Sequence, residues 1–98
     1  MKPSEFLADK VNLEKIKSII LKYSVSNPVI FGSVARGDDR EDSDIDILVE
    51  DSNETDYLEL ADMIAELEAF SSFNIDLSTT YPISERTLKR IMKEAIIL

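Results

Sequence analysis

The sequence predicts an α+β fold in which a short mixed β-sheet is flanked by helices. Three short apolar segments have the length and residue types of strands, while three longer segments repeat apolar residues at helical spacing. With 98 residues, of which 44% are apolar and 32% charged, the chain has the size and composition of an ordered globular protein. We therefore expect residues 1–98 to form a single domain.

Amphipathic helices are predicted near both ends and in the middle of the chain. The first covers residues 12–24, with Asn12 as its N-cap, and is ended by the segment around Pro28. The middle helix covers residues 57–70. Beyond Pro82, Ser84 is the expected N-cap of the last helix. Its predicted apolar face consists of Leu88, Ile91, Met92, Ala95 and Ile96.

The predicted strands cover residues 29–31, 44–50 and 75–77. The first strand ends at a glycine, after which residues 33–36 have room for one helical turn before Gly37 ends it in a left-handed conformation. Residues 38–43 then form a polar loop that we expect to be solvated. The sequence leaves the order of the strands in the sheet open.

Composition and charge exclude several classes of function. The net charge of −9, from 20 acidic and 11 basic side chains, argues against binding to a nucleic-acid backbone as the main activity. The chain has no cysteine and no histidine, which excludes disulfides, thiol nucleophiles and imidazole-based catalysis. No signal peptide or run of eighteen apolar residues is present, so we expect no membrane span and a cytoplasmic protein.

Two aspartates on the second predicted strand are the first candidate site residues. Asp44 and Asp46 are two residues apart, so both side chains project from one face of the strand and repel each other. A hard cation such as Mg²⁺ relieves that repulsion. If the third strand lies beside the second, Asp76 joins the same face, and three acids could hold two ions. The alternative is that Asp44 and Asp46 only keep a strand edge soluble, with Asp76 facing water.

The turn after the first strand is the second candidate. Gly32 leads directly from strand to helix, which exposes backbone N–H groups, and the hydroxyl of Ser33 can donate to a phosphate oxygen. Arg36 could add a positive charge from the following turn. The alternative is an ordinary Gly-Ser turn in which Arg36 pairs with Asp38 or Asp42.

The order and spacing of the two candidates resemble a known signature. Gly32-Ser33, ten further residues and Asp44-x-Asp46 are similar to the signature of the DNA polymerase β-like nucleotidyltransferase superfamily. More narrowly, residues 32–37 and 43–49 resemble the minimal nucleotidyltransferase (MNT) family, whose members are often paired with HEPN-domain toxins. The resemblance extends from about Val29 to Ser78 by motif. Val34 departs from it in being smaller than the residues often found there.

This resemblance implies a minimal nucleotidyltransferase fold and a role for each motif residue. Gly32 and Ser33 bind the triphosphate of a nucleotide, Asp44 and Asp46 ligate Mg²⁺, and Asp76 is the third carboxylate. The implied activity is transfer of AMP from ATP to a tyrosine of a HEPN toxin, which silences the toxin's ribonuclease.

Two alternatives stay open for the function. The chain could neutralise its toxin by binding alone, or it could be a nucleotidyltransferase for a small molecule or RNA, although it lacks a basic surface and an acceptor-binding domain. Terminal apolar residues could form a patch for a partner or for a second copy of the chain, or complete the core. These residues are Phe6, Leu7, Ile97 and Leu98.

Overall fold

The computed structural model describes residues 1–80 and 83–98, which form a four-stranded sheet with helices packed against it. Pro82, expected ahead of the last helix, lies outside the described residues. No helix within these two ranges is long and apolar enough to cross a membrane. In chain order the elements are α1 (Pro3–Ala8), α2 (Lys10–Ile20), β1 (Val25–Phe31), α3 (Gly32–Arg36), β2 (Ile45–Asp51), α4 (Tyr57–Ser71), β3 (Ile75–Thr79), α5 (Glu85–Glu94) and β4 (Ile96–Ile97).

The sheet is mixed, as the sequence predicts, and its strand order is β3-β2-β1-β4. β1 runs antiparallel to β2 and to β4, whereas β2 and β3 are parallel. Helix α4 provides the crossover that two consecutive parallel strands require. This arrangement confirms the predicted α+β class and places β2, which carries the acid motif, in the interior of the sheet.

Strand β1 is longer than predicted, because the segment around Pro28 does not end the preceding helix but belongs to the strand. Helix α2 already ends at Ile20, and β1 starts at Val25. The pairing of β1 with β2 shifts between Ser26 and Val29, and Asn27 within this irregularity has a φ of 49°. Such a bulge accommodates a proline, which has no N–H to donate to the ladder.

Two of the helix starts differ from the prediction. A short helix, α1, was missed, and α2 begins two residues earlier than expected, with Asp9 rather than Asn12 as its N-cap. The Asp9 carboxylate accepts a hydrogen bond from the Val11 N–H at 2.9 Å, while the Asn12 amide donates to the Phe6 carbonyl at 2.9 Å. Asn12 therefore links α2 to α1. The predicted cap at Ser84 is confirmed, since its hydroxyl accepts from the Thr87 N–H at 3.2 Å.

The end of the chain is a strand where the sequence suggested a continuing helix. Helix α5 stops at Glu94, Ala95 is extended at φ −71° and ψ 146°, and Ile96 pairs with Ile30 of β1. The placement of Ala95 and Ile96 on the helix was wrong. An open edge of β1 and two consecutive β-branched isoleucines favour strand addition over another helical turn.

One face of the sheet packs against α2 and α4 and forms the main core. Its buried side chains include Ile47 in the centre and Ile16 and Leu67 on the two helices, all 0% exposed. Alternation along the strands sends Asp46 to the opposite face, together with Leu48. Leu48 is only 2% exposed, because this opposite face is partly covered by α5. The acids therefore lie on the face of the sheet that α5 partly covers.

The terminal apolar residues divide between core and surface. Leu7 is buried, and the ring of Phe6 makes edge contacts with Phe70 and Phe73 at centroid distances of 5.6 and 5.7 Å. Of the residues expected to form a patch, only Ile97 is largely exposed, at 73%. Association with a second copy of the chain stays a prediction.

The loop after α3 is not solvated throughout, because Asp39 is buried. Its Oδ2 accepts a hydrogen bond from the Ser4 N–H at 2.8 Å, at the start of α1. Burial, the largest single effect, raises the pKa of Asp39. The hydrogen bonds from Ser4 and from the Asp39 backbone, together with the charge of Lys2, outweigh burial and hold the pKa below its usual range. Asp39 thus ties the loop that precedes β2 to the first helix.

Candidate active site

The parallel pairing of β2 and β3 brings together two of the three predicted acids. Asp46 and Asp76 are register partners on neighbouring strands, which lie about 4.8 Å apart. The register is fixed at both ends, since the Ile45 N–H donates to Asn74 O at 2.9 Å and the Thr80 N–H to Val49 O at 3.0 Å. The third strand therefore lies beside the second, which is the arrangement in which Asp76 was expected to join the face of Asp44 and Asp46.

Asp44 lies one residue before β2 and is exposed, as is Asp76, whereas Asp46 is half-buried. Four effects together raise the pKa of Asp46 to about 6. Burial is the largest, followed by the charge of Asp76, a hydrogen bond with Asp76 and the charge of Asp44. A cation bound beside Asp46 would relieve the repulsion between the carboxylates and stabilise the charged form of Asp46.

Gly32 packs directly against the Asp46 carboxylate. Its φ is +74°, a value that side chains other than glycine rarely adopt. A Cβ atom at this position would overlap the Asp46 Oδ2 and lie 3.2 Å from its Cγ. The strand-to-helix turn and the acid motif, which are separated by ten residues in sequence, therefore form one site.

Helix α3 follows the turn as predicted. Gly37 ends it with a φ of 82°, and the Gly37 N–H donates to Ser33 O at 2.9 Å. Phe31, at the N-cap position, has no side-chain acceptor, so the first N–H groups of α3 keep their capacity to bind an external oxygen. Ser33 stands beside them and is half-buried. Phosphate binding by Gly32 and Ser33 stays a prediction.

Arg36, predicted to add charge to the phosphate site, is engaged by two carboxylates. Its Nε lies 3.2 Å from Asp38 Oδ2, and its Nη1 lies 3.3 Å from Glu94 Oε2. The hydrogen bond that Arg36 donates to Asp38, followed by the one that it donates to Glu94, raises the pKa of Arg36 above its ordinary value. The pairing with Asp38 is one of the two alternatives that the sequence left open. The link to Glu94 was missed, because it joins residues 58 positions apart.

A cavity of about 370 Å³ opens beside the turn, between α3 and α5. This volume is within the range of small-molecule sites. Its lining includes three residues of α5 that sequence reasoning did not assign to the site, because the amphipathic pattern of α5 does not reveal which face of the sheet it covers. The lining residues are Phe31, Gly32, Arg36, Arg90, Ile91 and Glu94.

A second cavity, of about 450 Å³, lies farther along the same face; the lining of neither cavity includes any of the three acids. It is mainly apolar, with Leu48, Leu88 and Met92 among its lining residues. Size alone would favour this cavity as the binding site. The smaller cavity is the better candidate, because it shares Gly32 with the acid pair and holds two arginines.

The donor set fits a hard cation. Carboxylate oxygens are the protein ligands that Mg²⁺ prefers, and Asp46 and Asp76 present theirs from one face. Within residues 1–80 and 83–98, no three or more Asp, Glu, His or Cys side chains are arranged so that together they could hold a metal ion. Asp44 acts on Asp46 through its charge. The ligation of Mg²⁺ by all three aspartates stays a prediction.

Replacing Asp76 with Asn should lower the pKa of Asp46 toward its ordinary value, because it removes the partner charge and leaves burial as the main cause of the shift. A carbon-detected NMR titration of the Asp46 carboxyl group measures this directly. Asp44→Asn is the matched comparison and should lower the pKa less. Equal effects of the two substitutions would contradict the pairing of Asp46 with Asp76.

A family model described as nucleotidyltransferase domain matches residues 13–98, which include every predicted site residue. The chain belongs to this family. One relative, from Methanocaldococcus jannaschii and provisionally named a protein adenylyltransferase, is 40% identical over 82 residues, or 84% of this chain and 88% of that protein. The protein adenylyltransferase MntA of Thermococcus cleftensis is 29% identical over 94 residues, or 88% of this chain and 95% of that protein.

Solved structures agree with this assignment. A structure described as a minimal nucleotidyltransferase, also provisionally named, superposes with a TM-score of 0.81 at 30% identity and spans 91% of both chains. A toxin-antitoxin complex with AMP-PNP gives a TM-score of 0.72 at 20% identity, over 86% of this chain and 69% of that chain. A tri-AMPylated Shewanella oneidensis HEPN toxin in complex with its MNT antitoxin gives 0.67 at 18%, over 90% and 69%. The last two show the common fold, and the resemblance to the MNT family is confirmed.

Proposed function

We propose that this nucleotidyltransferase uses Mg²⁺ to transfer AMP from ATP to a tyrosine hydroxyl of a HEPN-domain toxin, and that it thereby acts as a cytoplasmic antitoxin. The observation that carries the proposal is the pair Asp46 and Asp76, in register on parallel strands, with the Asp46 carboxylate packed against Gly32. The names of the relatives, protein adenylyltransferases, support the reaction. The fold shared with antitoxins in toxin complexes supports the partner.

Different residues of the site have different roles in such a transfer. The backbone N–H groups at Gly32 and the hydroxyl of Ser33 hold the phosphates, while Asp44 and Asp46 hold Mg²⁺. When bound, Mg²⁺ neutralises charge on the triphosphate and lowers the pKa of the acceptor hydroxyl. Asp76, exposed beside Asp46, is placed either to ligate a second ion or to accept the proton of that hydroxyl.

The bonds change at the α-phosphate of ATP. The acceptor oxygen forms a bond to the α-phosphorus, the bond from that phosphorus to the bridging oxygen breaks, and pyrophosphate leaves with the electron pair. The proton of the hydroxyl passes to Asp76 or to solvent. No protein nucleophile is needed, which agrees with a chain that has no cysteine and no histidine.

The alternative of an antitoxin that acts by binding alone predicts a different role for the acids. In that case the repulsion that raises the pKa of Asp46 would destabilise the folded protein without contributing to its function, since binding to a partner does not require repelling carboxylates. A small-molecule or RNA acceptor would likewise leave the HEPN protein unmodified. One experiment separates AMP transfer to the HEPN protein from both alternatives.

The protein is incubated with ATP, Mg²⁺ and the HEPN-domain toxin proposed as its partner, and ribonuclease activity of the partner is then measured after the two are separated. We expect the partner to stay inactive, because a covalent AMP survives separation. Wild-type protein without Mg²⁺ is the control and should leave the partner active. A partner that recovers its activity on separation in every case would favour inhibition by binding alone.

A further inference from the structure

We propose that Arg90 of α5 supplies the positive charge that binds the terminal phosphates of the nucleotide, while Arg36 holds α5 over the site as a positioning residue. The proposal rests on the proposed function, since it concerns the triphosphate of the same substrate. It assigns to a residue outside the sequence motif the role that the sequence suggested for Arg36.

Arg36 is unsuited to bind phosphate because its guanidinium group is already occupied. Asp38 and Glu94 contact it at 3.2 and 3.3 Å. An approaching phosphate would have to displace two carboxylates and then lie beside them. The charge of Arg36 is therefore largely neutralised where the cavity needs a cation.

Arg90 has no such competitor. It lines the same cavity as Gly32, and no carboxylate within residues 1–80 and 83–98 forms an ion pair with it. Glu94 lies one helical turn away on the same face of α5, a position suited to pair with Arg90, but its carboxylate contacts Arg36 instead. The Arg36–Glu94 pair thus both fixes α5 against α3 and leaves Arg90 available.

The charges around the site explain why a cation is needed there. A nucleoside triphosphate has to approach Asp44, Asp46 and Asp76 on a chain of net charge −9. Metal ions at the acids neutralise the phosphates nearest to them, whereas the cavity with Arg90 opens on the α3 side of the acids, beside Gly32. An arginine there can hold the β- and γ-phosphates with two parallel hydrogen bonds.

The other cations of α5 do not share this position. Arg86, Lys89 and Lys93 are exposed and do not line the cavity. Arg86 lies one turn before Arg90 and has the same side chain, so Arg86→Ala is a matched control for loss of charge and for the change in helix propensity. Both positions are on an exposed helix, where alanine is well tolerated.

The test measures binding of ATP, ADP and AMP, each with Mg²⁺, and of inorganic tripolyphosphate, by calorimetry on the full chain and on Arg90→Ala, Arg90→Lys and Arg86→Ala. Arg90→Ala should weaken binding of ATP and tripolyphosphate by about ten- to a hundredfold, as for loss of a charge-assisted hydrogen-bond pair. The loss should be smaller for ADP and least for AMP, and Arg90→Lys should restore part of it. Arg86→Ala should bind like the wild type.

Three outcomes would overturn the proposal: ATP binding by Arg90→Ala that matches Arg86→Ala, an equal loss for ATP, ADP and AMP, or a wild-type protein that binds no ATP. Circular dichroism confirms that each variant is folded. Failure of the proposed function is a separate result. A wild-type protein that binds ATP in an Arg90-dependent way but transfers no AMP supports Arg90 and contradicts the transfer reaction.

Discussion

Asp46→Asn is expected to reduce AMP transfer by about a thousandfold or more, because it removes a charged metal ligand at the centre of the site. The same substitution should stabilise the metal-free protein at neutral and higher pH. Opposite effects on activity and stability are typical of a group that is kept for catalysis at a cost to the fold. Asp51→Asn, which changes an exposed acid at the other end of β2, is the control and should alter neither property much.

The pH dependence follows from the direction of the shift. Burial and then the charge of Asp76 raise the folded-state pKa of Asp46 to about 6, above the ordinary value of 3.8. The folded protein therefore holds this proton more tightly than the unfolded chain. The resulting stabilisation is complete below about pH 4 and is lost as the pH rises through 6.

Urea denaturation of wild type and Asp46→Asn at pH 4.5 and pH 8, without Mg²⁺, checks this prediction. At pH 8 the variant should be more stable by about 1–2 kcal/mol, a value reduced from the full shift because Asp46 is only half-buried and solvent screens its charge. Near pH 4.5 the difference should shrink. A variant that is less stable than wild type at pH 8 would contradict the account of Asp46.

Gly32→Ala is expected to reduce activity about a hundredfold or more and to destabilise the protein more than Gly37→Ala does. The new Cβ overlaps the Asp46 carboxylate, and the φ of +74° adds strain of about 1 kcal/mol or more. Relief of the overlap requires Asp46 to move, and a displacement of about 1 Å is enough to reduce catalysis about a hundredfold. The substitution would therefore disturb both the turn at Gly32 and the position of Asp46.

Gly37→Ala separates strain from contact. Gly37 has nearly the same conformation, with a φ of 82°, but nothing lies within 4 Å of an added Cβ. Its substitution should cost only the backbone strain and leave AMP transfer largely intact. Thermal denaturation and transfer assays of both variants give the comparison. Equal loss of activity in the two would show that the contact between Gly32 and Asp46 has no special role.

The parts of the fold that the sequence predicts are those set by local patterns. Alternation located β2 and β3, helical spacing located α4, and Gly37 marked the end of α3. The errors have a different origin. β4 forms because β1 leaves an open edge, and β1 tolerates Pro28 because a bulge interrupts its ladder; both depend on pairing partners distant in sequence.

The residues of the candidate site also divide into those located by local sequence patterns and those that depend on contacts distant in sequence. Asp44 and Asp46 were found from their spacing, and the pairing of Asp76 with Asp46 required only that two strands be neighbours. Arg90 could not be found in this way, because its contribution depends on where α5 crosses the sheet. That position involves the link between Arg36 and Glu94, for which no short-range pattern exists.

The acids at β2 and β3 are proposed to direct attack on the α-phosphate of ATP. This role is tested most directly by incubating the protein, Mg²⁺ and its HEPN partner with ATP labelled either at the α- or at the γ-phosphate. We predict that the partner acquires the α-label, that the γ-label is released in pyrophosphate, and that Asp46→Asn transfers neither. A partner that acquires the γ-label, or no label at all with wild-type protein, would contradict the account.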